Sequence, residues 1–198
     1  MSTAIRLSPS GPVITNPAGA PLAPGTGARL RLAEASTTIG TTNVIPTAAN
    51  LAAAPYIGPG GLGVAGGPAL IASLPNPSQS ANYRMTALLD VRNPSTNVNG
   101  VVQLYLATSW DNGVTWHEQA SNQHQVAGEP TAGNERQMRI DQTLISGAAL
   151  GMTPGAPSLQ VRAHIGATVG GNVLQLPSGD TGDGASRGAF LLQLEEMF

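Results

Sequence analysis

From residue 69 onward the chain repeats one pattern: apolar side chains at every second position in short runs, each run ended by Gly, Pro, Asn or Asp. In NYRMTALLDVRN, residues 82 to 93, Tyr83, Met85, Ala87, Leu89 and Val91 fall on one face, while Arg84, Thr86, Asp90 and Arg92 fall mostly on the other. A period of two is that of a strand with one buried face. VVQLYLATS (101–109) sets Val102, Leu104 and Leu106 opposite Gln103 and Tyr105, and ERQMRIDQTLIS (135–146) follows the same rule. In SLQVRAHIGAT (158–168), Leu159, Val161, Ala163 and Ile165 alternate with Gln160, Arg162 and His164; GAFLLQLEEMF adds a last strand through Phe190, Leu192 and Leu194. ARLRLAEAS (28–36), ALIASLP (69–75) and NVLQL within 171–176 are weaker strands. With turn signals NPSTNVNG, DNG and LPSGDTGDGAS between them, these segments specify an all-β chain, an antiparallel β-sandwich or jelly roll. No stretch longer than about ten residues carries a capped 3.6-residue period, so helix is expected to be minor.

The N-terminal part obeys other rules. Residues 8 to 28, SPSGPVITNPAGAPLAPGTGA, have Pro or Gly at short intervals, which rules out helical hydrogen bonding. Residues 1 to 28 are expected to be an extended Pro/Gly-rich arm and residues 29 to 198 the β-sandwich domain. Val13, Ile14 and Leu22 are the arm's apolar candidates for ordering on a partner. Residues 46 to 68 offer a short helical turn at 47–54 and then GPGGLGVAGG, which lacks the lysine and the strand-then-helix context of a phosphate-binding loop. They read as a flexible connection.

Charged residues make up only 10% of the chain, against roughly a quarter in an ordinary soluble domain. All nine basic residues are Arg, and the net charge is −2. So few charges protect a lone subunit poorly against self-association, which points to a protein that functions assembled. Nothing suggests electrostatic attraction to nucleic acid or to an anionic membrane. Cys is absent, excluding disulfides and thiolate chemistry. No secretory signal and no apolar run of the ~18 residues a membrane span needs is visible, so synthesis in a cytoplasm is the expectation.

One short motif stands out. In SWDNGVTW, Ser109, Asp111, Gly113, Thr115 and Trp116 match S-x-D-x-G-x-T-W. Asp and Asn bond their own backbone and tolerate left-handed angles, and Gly supplies positive φ, so D-N-G joins two antiparallel strands. Trp116 is expected to fold back over the hairpin into the core, leaving Trp110 at the tip. The motif resembles the Asp box of sialidases, where it repeats once per propeller blade away from the catalytic pocket. Here it occurs once, without the sialidase set of an Arg cluster, a Tyr nucleophile with its Glu, and an Asp acid. The resemblance implies a hairpin and no activity.

Other catalytic constellations are also missing. His117, His124 and His164 match no zinc-binding spacing. Glu195, Glu196, Asp180 and Asp183 are candidates for a carboxylate pair, but sequence does not give their separation. GDTGDG (179–184) departs from the EF-hand template, and Ser73, Ser109 and Ser146 lack a nucleophile elbow. Arg29, Arg31, Arg84 and Arg92 read as outer-face residues or ion-pair partners. No enzyme activity, cofactor or metal is expected.

Arm, sandwich, hairpin, low charge and the absence of Cys and Lys together resemble the head decoration or cement proteins of tailed bacteriophages. That resemblance implies a structural protein on the capsid exterior, a homo-oligomer and in that family often a trimer, bridging subunits of the major capsid protein through its arm. The alternative is a carbohydrate-binding or receptor-binding module of a virion appendage, with Trp110 as an exposed ligand contact.

Overall fold

The computed structural model describes residues 4–8, 11–15, 30–63, 67–95, 99–128, 136–169, 174–177 and 189–197. Along the chain run β1 (Ala4–Ser8), β2 (Gly11–Thr15), β3 (Leu30–Thr38), β4 (Asn43–Val44), β5 (Ile57–Gly58), β6 (Gly61–Leu62) and β7 (Ala72–Pro75). They are followed by β8 (Asn82–Val91), β9 (Gly100–Ser109), β10 (His117–Val126), β11 (Arg136–Ser146), β12 (Ser158–Val169), β13 (Gln175–Leu176) and β14 (Ala189–Met197).

Eight of these strands form two four-stranded antiparallel sheets, ordered β3-β14-β8-β11 and β7-β12-β9-β10. The pairs are nested. The β9–β10 hairpin is innermost; β8 pairs with β11 outside it, then β7 with β12, then β3 with β14. Successive pairs fall on alternate sheets, the arrangement produced by winding one long antiparallel ribbon around itself. This is a jelly roll.

The alternation seen in the sequence makes the winding possible. Met85, Ala87 and Leu89 of β8, Leu104 and Leu106 of β9, Val161, Ala163 and Ile165 of β12, and Phe190, Leu192 and Leu194 of β14 are each at most 2% exposed in one core. Apart from the buried Glu196 near one end, the space between the sheets is packed with apolar side chains, so groups able to meet a ligand are sought on the outer faces and edges.

Two segments differ from expectation. Within the arm, β1 and β2 pair with each other, with Ile14 opposite Ile5, Val13 opposite Arg6 and Pro12 opposite Leu7. This is a hairpin where a single extended segment was expected; in a two-stranded ribbon each strand has an open edge, so Pro12 has a place. Leu22 lies outside the described residues. The second is the presumed connection. Where β12 runs on past β7, the Ala48 amide donates to Ala167 O (3.0 Å), the Ala167 amide to Pro46 O (2.9 Å) and the Ile165 amide to Pro55 O (3.1 Å). Asn50 organises a turn there, accepting from Ala53 and Ala54. Ala48, Leu51 and Ala54 then cover Tyr105 on the outside of the sheet. The fit is close enough that a Cβ on Gly166 would lie 2.6 Å from that of Ala48. Residues 46–56 are therefore a strap held by backbone bonds.

Candidate functional site

The tip of the innermost hairpin is organised around one carboxylate. Ser109 Oγ donates to Asp111 Oδ1 (2.6 Å), and the amides of Val114 (3.1 Å) and Thr115 (2.9 Å) donate to the same oxygen. The Gly113 amide in turn donates to Ser109 Oγ (2.9 Å). Asn112 and Gly113 take left-handed angles, φ 58° and 85°, as their residue types allow. The bonds from Ser109 and Thr115 hold the Asp111 carboxyl at a pKa of about 2, below its usual range. Asn112 Oδ1 accepts from Ser158 Oγ (2.8 Å), tying the tip to β12. Every polar group of the turn used in these bonds is occupied by the protein itself.

Neither tryptophan takes the position expected for it: both are half-buried. Trp110 packs against the main core and stacks on His117, with ring centroids 4.2 Å apart and planes 8° from parallel. Trp116 does fold back, its Nε1 donating to Gly113 O (3.0 Å), but it remains half-buried over the outer face of β12. The hairpin's motif fixes that the indole turns back and leaves open which side of the sheet receives it.

On that outer face, Trp116 meets Arg162. The guanidinium carbon lies 4.0 Å from the Trp116 ring centroid and 5.4 Å from that of Tyr56, which the strap delivers from the other side. Burial lowers the Arg162 pKa, with Tyr56 acting weakly in the opposite sense. Behind Tyr56, the His164 ring stands edge-on to it at 6.1 Å. His164 is 4% exposed and its Nδ1 lies 2.7 Å from Ala54 O. A carbonyl only accepts, so Nδ1 carries the proton and Nε2 is a bare acceptor. Desolvation depresses the His164 pKa to about 4. Gln160 Oε1, Arg162 Nε, Tyr105 OH and His164 Nε2 are all buried without a hydrogen-bond partner. They lie on adjacent strands, with Gln160 opposite Ser109, Arg162 opposite Ala107 and His164 opposite Tyr105.

The carboxylates considered from sequence do not come together as a pair. Glu195 and Glu196 are successive residues of β14 and point to opposite faces. Glu195 lies 3.8 Å from Arg84 on the outside, whereas Glu196 is fully buried and ion-paired with Arg31. Tyr83 OH (2.7 Å) and the Ser78 amide (2.9 Å) also donate to Glu196. Burial alone would raise the Glu196 pKa; the bonds from Arg31, Tyr83 and Ser78 outweigh it and hold the carboxyl below its usual value. Asp180 and Asp183 lie outside the described residues. Among the described residues no three His, Asp or Glu side chains are grouped to hold a metal ion.

What these features define is an all-β jelly-roll sandwich with a polar, aromatic patch on one outer face. No protein-family model matches the chain, and no curated protein matches it. Among solved structures, a chain in "Structure of infectious bursal disease virus Gt strain" is similar over 94% of this chain and 44% of its own length, at 15% identity and a TM-score of 0.31. The present chain thus spans less than half the length of that one.

Proposed function

We propose that this chain is a non-catalytic structural protein of a virus particle, decorating a phage capsid from outside and stabilising it by bridging major capsid protein subunits. The observation that carries the reading is the jelly-roll winding around a largely apolar interior. Jelly rolls serve viral shells, lectins and cupins. Cupin-type chemistry needs a cluster of polar ligands inside the roll; here the facing side chains are almost all apolar, and the buried Glu196 is taken up by Arg31, Tyr83 and Ser78. Because a fold alone does not specify function, the low charge content of 10% supplies the second support, favouring a protein that works in an assembly. In this reading the subunits form a trimer, are made in the host cytoplasm, and use Val13 and Ile14 of the N-terminal hairpin, with Leu22, as shell contacts repeated over the lattice.

A second reading, a carbohydrate-binding or receptor-binding module, is favoured by one observation: a guanidinium held between aromatic rings on an outer sheet face.

Light scattering on the purified protein, followed by co-sedimentation with purified phage shells, tests the first reading. The expected result is a trimer that saturates shells at a fixed ratio, and a variant lacking residues 1–28 that stays folded and no longer binds. A folded full-length protein that ignores shells would overturn it.

A further inference from the structure

Arg31 pairs with Glu196 and Arg84 with Glu195, and Arg162 makes no such pair among the described residues. The acid nearest to it in register is Glu118, opposite Ala107 on the far side of β9, and it makes no ion pair across that row. A half-buried cation without a counter-charge is unfavourable for the free protein. Yet Trp116 and Tyr56 hold the guanidinium between them, its inner Nε buried against the sheet. Contact with both rings restricts the group, so less freedom is lost when its fork of N–H donors takes up a planar anion with two oxygens. A carboxylate is such an anion.

The neighbouring side chains indicate what carries the carboxylate. Between Arg162 and Gln103 the strap covers Tyr105, so the face stays open along β10, where Ser121 and Gln125 are exposed and Gln123 is bonded to Gln103 at 3.1 Å. Protein contacts draw most of their energy from buried apolar or aromatic anchors. A row of amides and hydroxyls instead matches a ligand that both donates and accepts hydrogen bonds along its length, with C–H faces that lie on aromatic rings. The geometry points to an acidic saccharide as the ligand of this face, its carboxylate on the Arg162 fork and its hydroxyls on the Gln103 and Gln123 amides. The inference does not rest on the capsid reading, since a shell protein and a free-standing module could each carry this site.

The test is calorimetric titration of the full chain with a panel of carboxylated oligosaccharides, each paired with its carboxyl-reduced neutral counterpart, and with a hexapeptide of glutamate. At least one acidic saccharide is expected to bind about tenfold or more tightly than its neutral form. Arg162→Lys, which keeps the charge and loses the fork, is expected to remove most of that preference, and Arg162→Gln all of it. Thermal melts of both variants verify the fold, and either folded variant suffices. Equal affinity for acidic and neutral forms, no binding across the panel, binding of the peptide alone, or an unchanged preference in folded Arg162→Lys would each overturn the proposal. Shell binding is measured separately on the same variants, so failure here leaves the capsid reading standing and the reverse also holds.

Discussion

On the β3-β14-β8-β11 sheet, Arg31 and Arg84 each meet a carboxylate of β14, while on the β7-β12-β9-β10 sheet Arg162 meets two aromatic rings and no acid. On the first sheet the Glu196 carboxylate gathers Arg31, Tyr83 and the Ser78 amide into one buried network. On the second sheet Arg162 has no carboxylate, and four buried polar atoms lie close together on β12 and β9 without hydrogen-bond partners, against Arg84 Nε on the first. Such a difference separates a surface built to hold the molecule together from one that gains when something outside arrives.

The strongest blow to this contrast comes from Glu196→Ala. It strips three donors of their acceptor, and the expected loss is about 3 kcal/mol, below that of a fully buried pair because the Arg31 side chain is 34% exposed. A denaturant midpoint close to the parent's would show that the first sheet does not depend on its network.

Acid should act next, on the other sheet. The unfolded chain protonates a histidine near pH 6.5, whereas folded His164 resists until about 4. Its contribution is complete above pH 6.5 and is lost as the pH falls towards 4, by roughly 2–3 kcal/mol. Melting curves across that window should slope less in His164→Gln than in the parent.

Smaller effects separate the tryptophans. Trp110→Ala should cost about 2 kcal/mol and Trp116→Ala about 1, both below the 3–5 kcal/mol of a fully enclosed aromatic. The opposite ranking would return Trp116 to the core. Least of all, Arg162→Gln should change stability by under about 1 kcal/mol without ligand, because the group removed is an unbalanced cation. A loss matching that of Arg31→Gln would erase the difference between the sheets.

The strands that line the core were legible because burial on one face writes a period of two: 82–93, 101–109, 135–146 and 158–168 all coincide with long strands. Of β10, the D-N-G turn told only that a strand follows it. HEQASNQHQV lies at a sheet edge with Val126 its one buried residue, so no alternation records its ten residues or the bulge between Glu118 and Ala120. The strap escaped for another reason: its contacts are backbone bonds to β12, more than a hundred residues away in the chain, which side-chain pattern does not encode. Alternation already set Gln160, Arg162 and His164 on the outer face. The missing signal was a ring on each side of Arg162, one contributed by the strap and one by the hairpin.

Winding the ribbon around its innermost hairpin also sets an order in time. The β9–β10 turn closes over a handful of residues, whereas Arg31 and Glu196, which join the outermost pair, are 165 positions apart. Closing a short loop precedes closing a long one, and folds dominated by distant pairings are slow to form. We expect the ribbon to zip outward from the Asp111 turn, with β3 and the Glu196 network latching last. During synthesis, β3 emerges early and has no partner until β14 has left the ribosome. Leu32, still 53% exposed in the finished fold, belongs to that waiting edge.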